Sequence, residues 1–385
     1  MKTKSIYNFL ILFALLGFIT TINAQNSQPA AADQSAEFKP SGKVWGYVLA
    51  DYFVKAHADS LNRGNTQYAN TAKNFNAFAF RRIYLGYDYQ ISKTFSTQLL
   101  LAHESDNLDA SGGRTVFIKA ANLRWKNILP NNDLVIGQTA TPIYALTSES
   151  VWGYRSVEKT VADMRKFGSS NDLGILWQGK LNDKGDYGYN FMIANGTSQK
   201  LETDKYKKFY GEIYAKFMNQ KLIVDLTSDY EPSSSTQSKT TVHGFVAYQT
   251  TPFTAGIEIV NQTQKGATKD TTAGKANAKS VNIIPLAFSV FVRGQIVPDK
   301  LNYFARFDTY NPDTKYNADI KYSTKVGSDK EYFVTAGIDW TPVKNVHLMP
   351  NIWYNSYSSM KNNVSGKAKN DYDLTARVTA YFIFK

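Results

Sequence analysis

The sequence predicts an all-β fold: a transmembrane antiparallel β-barrel of about sixteen strands with an inward-folded third external loop. Three observations carry this expectation. An export signal opens the chain; no later stretch holds the eighteen or so uninterrupted apolar residues of a spanning helix; and short alternating runs are joined by connections that are alternately long and tight.

The chain has 385 residues. Lys2 and Lys4, an apolar run over 9–19 and the small residue Ala24 give residues 1–24 the layout of a signal peptide cleaved after Ala24. Residues 25–40 offer little to bury and read as a flexible lead-in, which leaves 41–385 for the barrel. Loss of Lys2 and Lys4 lowers the net charge from +12 to +10. A basic balance suits anionic ligands or surfaces, and export argues against nucleic acid as a partner. There is no cysteine, so the exported chain must rely on backbone pairing and packing. The 25 Tyr, 23 Phe and 6 Trp accompany a negative mean hydropathy, a pairing expected of aromatic girdles around a polar interior.

Strands follow in order from residue 44. In 44–55, Val48, Ala50, Tyr52 and Val54 share one face and Tyr47, Leu49 and Asp51 the other. In 75–91, Ile83, Leu85 and Tyr87 oppose Arg82, Tyr84, Gly86 and Asp88. The strand over 116–125 breaks its alternation at Ala120 and Ala121, which predicts a bulge and leaves Lys119 and Arg124 without an assigned side. Long polar connections fall at 57–74, 105–114, 139–170, 195–207, 231–240, 263–280, 311–329 and 356–371. Tight ones fall at 92–93, 130–133, 182–185, 219–220, 250–252, 298–300 and 342–345. A soluble sandwich has no reason to gather its long loops at one end; an outer-membrane barrel does.

Charge assigns the faces. An arginine on the lipid side at mid-depth costs roughly 2 to 4 kcal/mol, so Arg377 turns inward, opposite Leu374, Ala376 and Val378. The same reasoning turns in Arg82, Arg293, Arg306 with Asp308, and Lys216 with Glu212. The interruption at 139–170 carries the clearest helical period of the chain: Val157, Val161 and Met164, with Ser156 as N-cap and Gly168 as stop. Folded inward, it brings Arg155, Lys159, Arg165 and Lys166 to the narrowest point. Lying outside, it forms a flap held on the rim by Trp152 and Tyr154.

Catalytic and metal chemistry find little support. His57, His103, His243 and His347 are the only histidines, and neither Ser96 with His103 nor Ser289 with His243 sits in a nucleophile motif. Asp308, Asp313 and Asp319 lack calcium-loop rhythm, and there is no phosphate-cradling glycine loop, so no catalytic residue, metal ligand or cofactor is expected. Lysines such as Lys265, Lys269, Lys275 and Lys279 read as a solvated surface within reach of outer-membrane lipid phosphates.

The runs FRRIYLGYDYQIS, VIGQTATPIYALTSES, FGSSNDLGILWQGKL with YNFMIANG, and AGIDWTPVKNVHL resemble, in order over most of 41–385, the phosphate-selective porin O and P family of outer-membrane channels. The resemblance implies a sixteen-stranded barrel, usually a homotrimer, whose third external loop (139–170 here) folds into a pore lined with basic residues for anions. Arg82, Arg293, Arg306 and Arg377 match that basic lining in part. The chain departs from it by adding Asp51, Asp88, Glu212, Asp225, Glu258, Asp308 and Asp339 to the inner face.

Three readings of function follow: a passive porin for small hydrophilic, anionic solutes, phosphate among them; an outer-membrane barrel enzyme; and a structural or adhesive barrel without conductance. The first expects pore-lining, anion-binding roles for Arg82, Arg155, Lys159, Lys216, Arg293, Arg306 and Arg377. Nearly as many acids face these residues and Lys180, so the expected anion preference is weak.

Overall fold

In the computed structural model, the described residues are 38–64, 66–104, 107–324, 326–327, 329–359 and 370–385. The expected signal peptide (1–24), and the lead-in (25–40) up to residue 37, lie outside them. The strands are β1 (Ser41–His57), β2 (Asn76–Gln90), β3 (Phe95–Glu104), β4 (Phe117–Leu129), β5 (Asn132–Ala140), β6 (Asn171–Lys180), β7 (Tyr187–Ala194), β8 (Lys208–Phe217), β9 (Leu222–Pro232), β10 (Ser238–Gln249), β11 (Phe253–Asp270), β12 (Lys279–Ile283), β13 (Leu286–Val297), β14 (Leu301–Asn311), β15 (Asp329–Val343), β16 (Val346–Ser359) and β17 (Asp371–Phe384).

Apart from β12 and β13, each strand pairs antiparallel with its sequence neighbours, and β1 pairs with β17 from Gly46↔Phe384 to His57↔Leu374, which closes the ring. β12 and β13 both pair with β11 and are two halves of one wall strand, so the wall has sixteen. The break lies at Ile284 and Pro285, where proline has no N–H for a ladder. There the Ile284 amide donates to Asp313 Oδ1 at 3.0 Å and the Pro285 carbonyl accepts from Gln262 N at 3.1 Å.

Burial is inverted relative to a soluble protein. Arg306, Arg377, Asp51, Asp225, Glu212 and Lys55 are buried, while Leu85, Ile118, Ile175, Phe191, Ile213 and Val378, on strands around the same wall, are exposed. Only an apolar surrounding makes that arrangement stable. No helix among the described residues is long and apolar enough to cross a membrane.

Two bulges correct the sequence reading. In β2, Leu49↔Arg82 is followed by Ala50↔Phe80, so Arg81 is the extra residue, and both arginines are buried. Simple alternation would have put one of them in lipid; the bulge avoids that cost. In β4, Leu100↔Ala120 is followed by Leu101↔Ile118, so the bulge lies at Lys119, one residue before the position expected, and turns Lys119 inward. The 263–280 connection is also shorter than expected: Gln264, Thr268, Lys269 and Asp270 pair with β12, because a Thr- and Gln-rich hairpin can form a ladder in water.

The expected helix over 156–168 does not form as one piece. Helix α1 is Ser148–Trp152 and α2 is Val161–Met164, with an unwound stretch between them. Gly153, at φ 70°, ends α1 in the left-handed region. Thr160, not Ser156, caps α2, accepting from Asp163 N. Val157, Val161 and Met164 are buried all the same, so the periodicity marked a packed face but not a continuous helix.

Candidate functional site

Residues 141–170 begin and end together, with the Thr141 amide donating to the Ser170 carbonyl at 3.0 Å. Between those ends the unwound backbone presents its carbonyls to arginines of the wall. Arg81 donates from Nη1 to Val157 O at 2.9 Å and from Nη2 to Ser156 O at 2.6 Å, while Asp51 holds the same guanidinium at 2.7 and 3.0 Å. Arg82 donates to Arg155 O at 3.1 Å, and Arg293 Nε to Val151 O at 3.0 Å. Arg306 donates to Lys159 O and is held by Asp308, with Nε 2.8 Å from Oδ1. Arg377 donates to Val157 O, to Asn351 Oδ1 and, at 3.1 Å, to the Tyr68 hydroxyl.

These bonds explain the lost helix. A hydrogen bond to a charged donor is worth about 1.5 to 3 kcal/mol, against about 1 for a helical backbone bond. The carbonyls that a helix would use internally gain more from the wall. Glu158 adds to this: Trp353 Nε1 donates to its carboxylate at 2.9 Å, and Trp152 Nε1 to its carbonyl at 2.8 Å.

Apolar contacts follow the same side of the ring. Trp152 meets Phe291 of β13 at 5.1 Å between ring centroids, and Tyr154 meets Phe304 of β14 at 4.5 Å. Val157 shares a buried cluster with Ile223, Phe245 and Met349, and Val161 another with Ile143, Val260 and Ala287. Thr147 donates to Glu212 of β8 at 2.7 Å, and Arg165 to Glu331 of β15 at 2.6 Å.

The charge expected at the narrowest point is largely neutralised. Arg155 pairs with Glu149 and, at 2.6 Å, with Asp163. Burial pushes the Glu149 carboxyl up; for Asp163 burial acts in the same sense, but the Arg155 charge outweighs it and holds that carboxyl down. Lys159 keeps a one-third exposed side chain 4.0 Å from Asp163. The two do not form the pair of free charges one turn apart that a helix would have placed there.

Open space lies on the other side. One cavity of ≈ 640 Å³ runs from Ser41, Lys43 and Gln90 past Arg124 to Thr139 and Asn171, and a neighbour of ≈ 390 Å³ is lined by Arg124, Asp133, Gln178, Lys180, Asn190 and Lys216. Arg124 pairs with Asp133 at 2.8 Å, whereas no carboxylate lies within ion-pair distance of Lys180 or Lys216 among the described residues. Lys216 sits 5.6 Å over the Tyr214 ring. Of the basic residues expected in the lining, Lys216 and Arg293 face open volume, Lys159 is partly exposed, and Arg82, Arg155, Arg306 and Arg377 are occupied by the 141–170 segment or its acids. Alternation alone missed Arg81; the signal that finds it is two adjacent arginines inside one strand.

His103 and His243 are structural in their contacts. His103 Nδ1 lies 3.0 Å from Thr115 O, and His243 lies between Thr227 Oγ1 and Glu258 Oε1, each at 3.2 Å. Ser289 Oγ has no hydrogen-bond partner. No group of three or more His, Asp or Glu among the described residues is arranged to hold a metal ion.

No protein-family model matches the chain, and no curated protein matches it. Solved structures do. The outer membrane channel DcaP of Acinetobacter baumannii aligns over 90% of this chain and 97% of its own, at 13% identity and a TM-score of 0.64. An anion-selective porin from Comamonas acidovorans aligns over 90% and 100%, at 11% identity and 0.62. The trimer form of OmpT, an outer membrane protein of Vibrio cholerae, aligns over 90% and 99%, at 10% identity and 0.53. The chain therefore has the fold of the outer-membrane porins, a closed antiparallel β-barrel of sixteen strands.

Proposed function

We propose that this chain is an outer-membrane channel for passive diffusion of small hydrophilic solutes, with a weak preference for anions, phosphate among them. Its bore is narrowed by residues 141–170 and stays open along β1 to β8. The observation that carries this reading is the division of the basic residues: Arg81, Arg306 and Arg377 bond to the 141–170 backbone, whereas Lys180 and Lys216 border open volume without a carboxylate partner. Along that open side Lys43, Arg124, Lys180 and Lys216 outnumber Asp88 and Asp133, a small positive excess.

The absence of an aligned nucleophile and histidine at Ser96 or Ser289 favours a channel over a barrel enzyme, and the open volume favours it over a closed structural barrel. The likeness to an outer membrane protein in trimer form supports a homotrimer seated in outer-membrane lipid. Purified protein in a planar bilayer tests the reading. Ohmic conductance with a reversal potential of anionic sign in a salt gradient is expected. Zero conductance would establish a structural barrel, and a cationic sign would show that the acids of the wall prevail.

A further inference from the structure

Arg293 differs from the other arginines that hold the segment. It gives Nε to Val151 O and forms no other hydrogen bond or ion pair among the described residues, so both terminal amino groups remain available. Its plane is fixed: a Cβ built on Gly153 would lie 3.3 Å from Nε and 3.4 Å from Cζ, so the glycine backbone lies against the guanidinium. Gly153 has a φ of 70°, which resists replacement by any larger residue.

The available side of this fork faces a chamber of ≈ 190 Å³ near the short-turn end, lined also by Tyr154, Gln295, Asn302, Asp339, His347 and Tyr381. It shares no lining residue with the cavities along β1 to β8. The His347 and Tyr381 rings stack at 5.4 Å and 26°, and Tyr47 meets Tyr381 edge-on at 5.7 Å, which holds the Tyr381 ring in place beside the chamber. Asp339 Oδ1 lies 2.9 Å from His347 Nδ1 and Oδ2 accepts from the Tyr154 hydroxyl at 3.2 Å, so both of its oxygens already have partners. The side-chain amides of Gln295 and Asn302 form no hydrogen bond among the described residues.

We propose that this chamber binds a single-ring carboxylate bearing a hydroxyl group, of the hydroxybenzoate type. The carboxylate takes the fork of Arg293, whose parallel N–H pair matches two carboxylate oxygens. The ring packs against the Tyr381 and His347 rings that line the chamber, and the hydroxyl bonds to the free amides. The volume of ≈ 190 Å³ suits a single ring, being below the roughly 300 Å³ where drug-sized sites begin. The proposal rests on the channel reading only in that the solute arrives through the short-turn mouth.

Titration calorimetry of the purified barrel in detergent with 4-hydroxybenzoate tests it. Saturable binding at one site per chain is expected, with 4-hydroxybenzyl alcohol weaker by about tenfold or more because it lacks the charge. Cyclohexanecarboxylate should also be weaker, for want of stacking. Arg293→Met should abolish binding, and Tyr381→Leu should remove the advantage of the aromatic acid over the cyclohexane acid. Heat-modifiable migration of each variant confirms that the barrel is intact. Undetectable binding to the native chain, equal affinity for acid and alcohol, or unchanged affinity in a folded Arg293→Met variant would each overturn the site. Chloride conductance of the same preparation is measured separately, so failure of the channel reading and failure of this site give different results.

Discussion

The two halves of the lumen use the same residue types for opposite ends. Along β9 to β17 and on to Arg81 and Arg82 of β2, every arginine bonds to a backbone carbonyl of the 141–170 segment, and all but Arg293 are buried and held by an acid, a polar side chain or an aromatic face. Along β3 to β8, Lys180 and Lys216 stand beside open volume with no carboxylate within ion-pair distance among the described residues. A basic residue on the inner face is thus not by itself a solute contact. In the proposed channel, position relative to the segment decides whether its charge is used for structure or left for the solute.

The comparison is broken most severely by removing the segment. Deleting residues 150–165 is expected to raise single-channel conductance by at least about twofold, since the widest constraint on the bore is gone. Oligomer size measured on the same variant separates the alternative: unchanged current with dissociated subunits would assign the segment to an interface between copies.

Loosening the clamp without deleting it comes next. Arg81→Met with Arg377→Met leaves Asp51 buried without its guanidinium and Val157 O without its donors. Stranding a buried charge typically costs about 3 to 5 kcal/mol. The expected outcome is trypsin cleavage after Arg155 or Lys159 in a barrel that remains heat-modifiable, together with noisier current. Resistance equal to that of the native chain would show that the apolar contacts suffice.

The open half should respond in the opposite way. Lys180→Gln with Lys216→Gln is expected to reduce the anion-to-cation permeability ratio by roughly half while leaving thermal stability unchanged, because neither lysine has an ion-pair partner to lose. A stability loss with unaltered selectivity would reverse the roles assigned to the two halves.

How much of this was legible beforehand differs between the wall and the segment. Strand order, connection lengths and the inward direction of Arg306 and Arg377 follow from alternation and the cost of charge in lipid, both local properties of the chain. The bulge in β4 was visible as broken alternation, but the one in β2 was hidden because Arg81 and Arg82 both suit a lumen. The helix over 156–168 failed for a non-local reason. Its carbonyls are claimed by arginines that are distant in sequence, the Arg377 contact spanning 220 residues, and no window around Val157 contains that information. The pairing of Arg155 with Glu149 and Asp163 was hidden in turn, since these residues meet only once the helix is broken and the chain turns at Gly153.

The smallest expected effect lies at the long-loop end. Burial pushes the Asp59 carboxyl up, but the hydrogen bonds and charge of Arg63 outweigh it and hold that carboxyl below its usual range. A carboxyl depressed on folding adds stability that is present above the unfolded value of about 3.9 and is lost as pH falls through the lower folded value. Asp59→Asn should therefore lower the melting temperature slightly at pH 7 and not at all at very low pH. An equal decrease at both would mean that the aspartate acts through packing.

The absence of cysteine in the chain permits a direct test of which half of the lumen carries solute. Gln178→Cys borders the cavity with Lys180 and Lys216, whereas Ser289→Cys replaces a buried hydroxyl of β13 on the occupied half. An anionic, membrane-impermeant methanethiosulfonate is added to an open channel while current is recorded. The account predicts prompt, stepwise loss of current for Gln178→Cys and no reaction for Ser289→Cys until the segment is deleted. Block at Ser289→Cys in the intact chain, with none at Gln178→Cys, would contradict it.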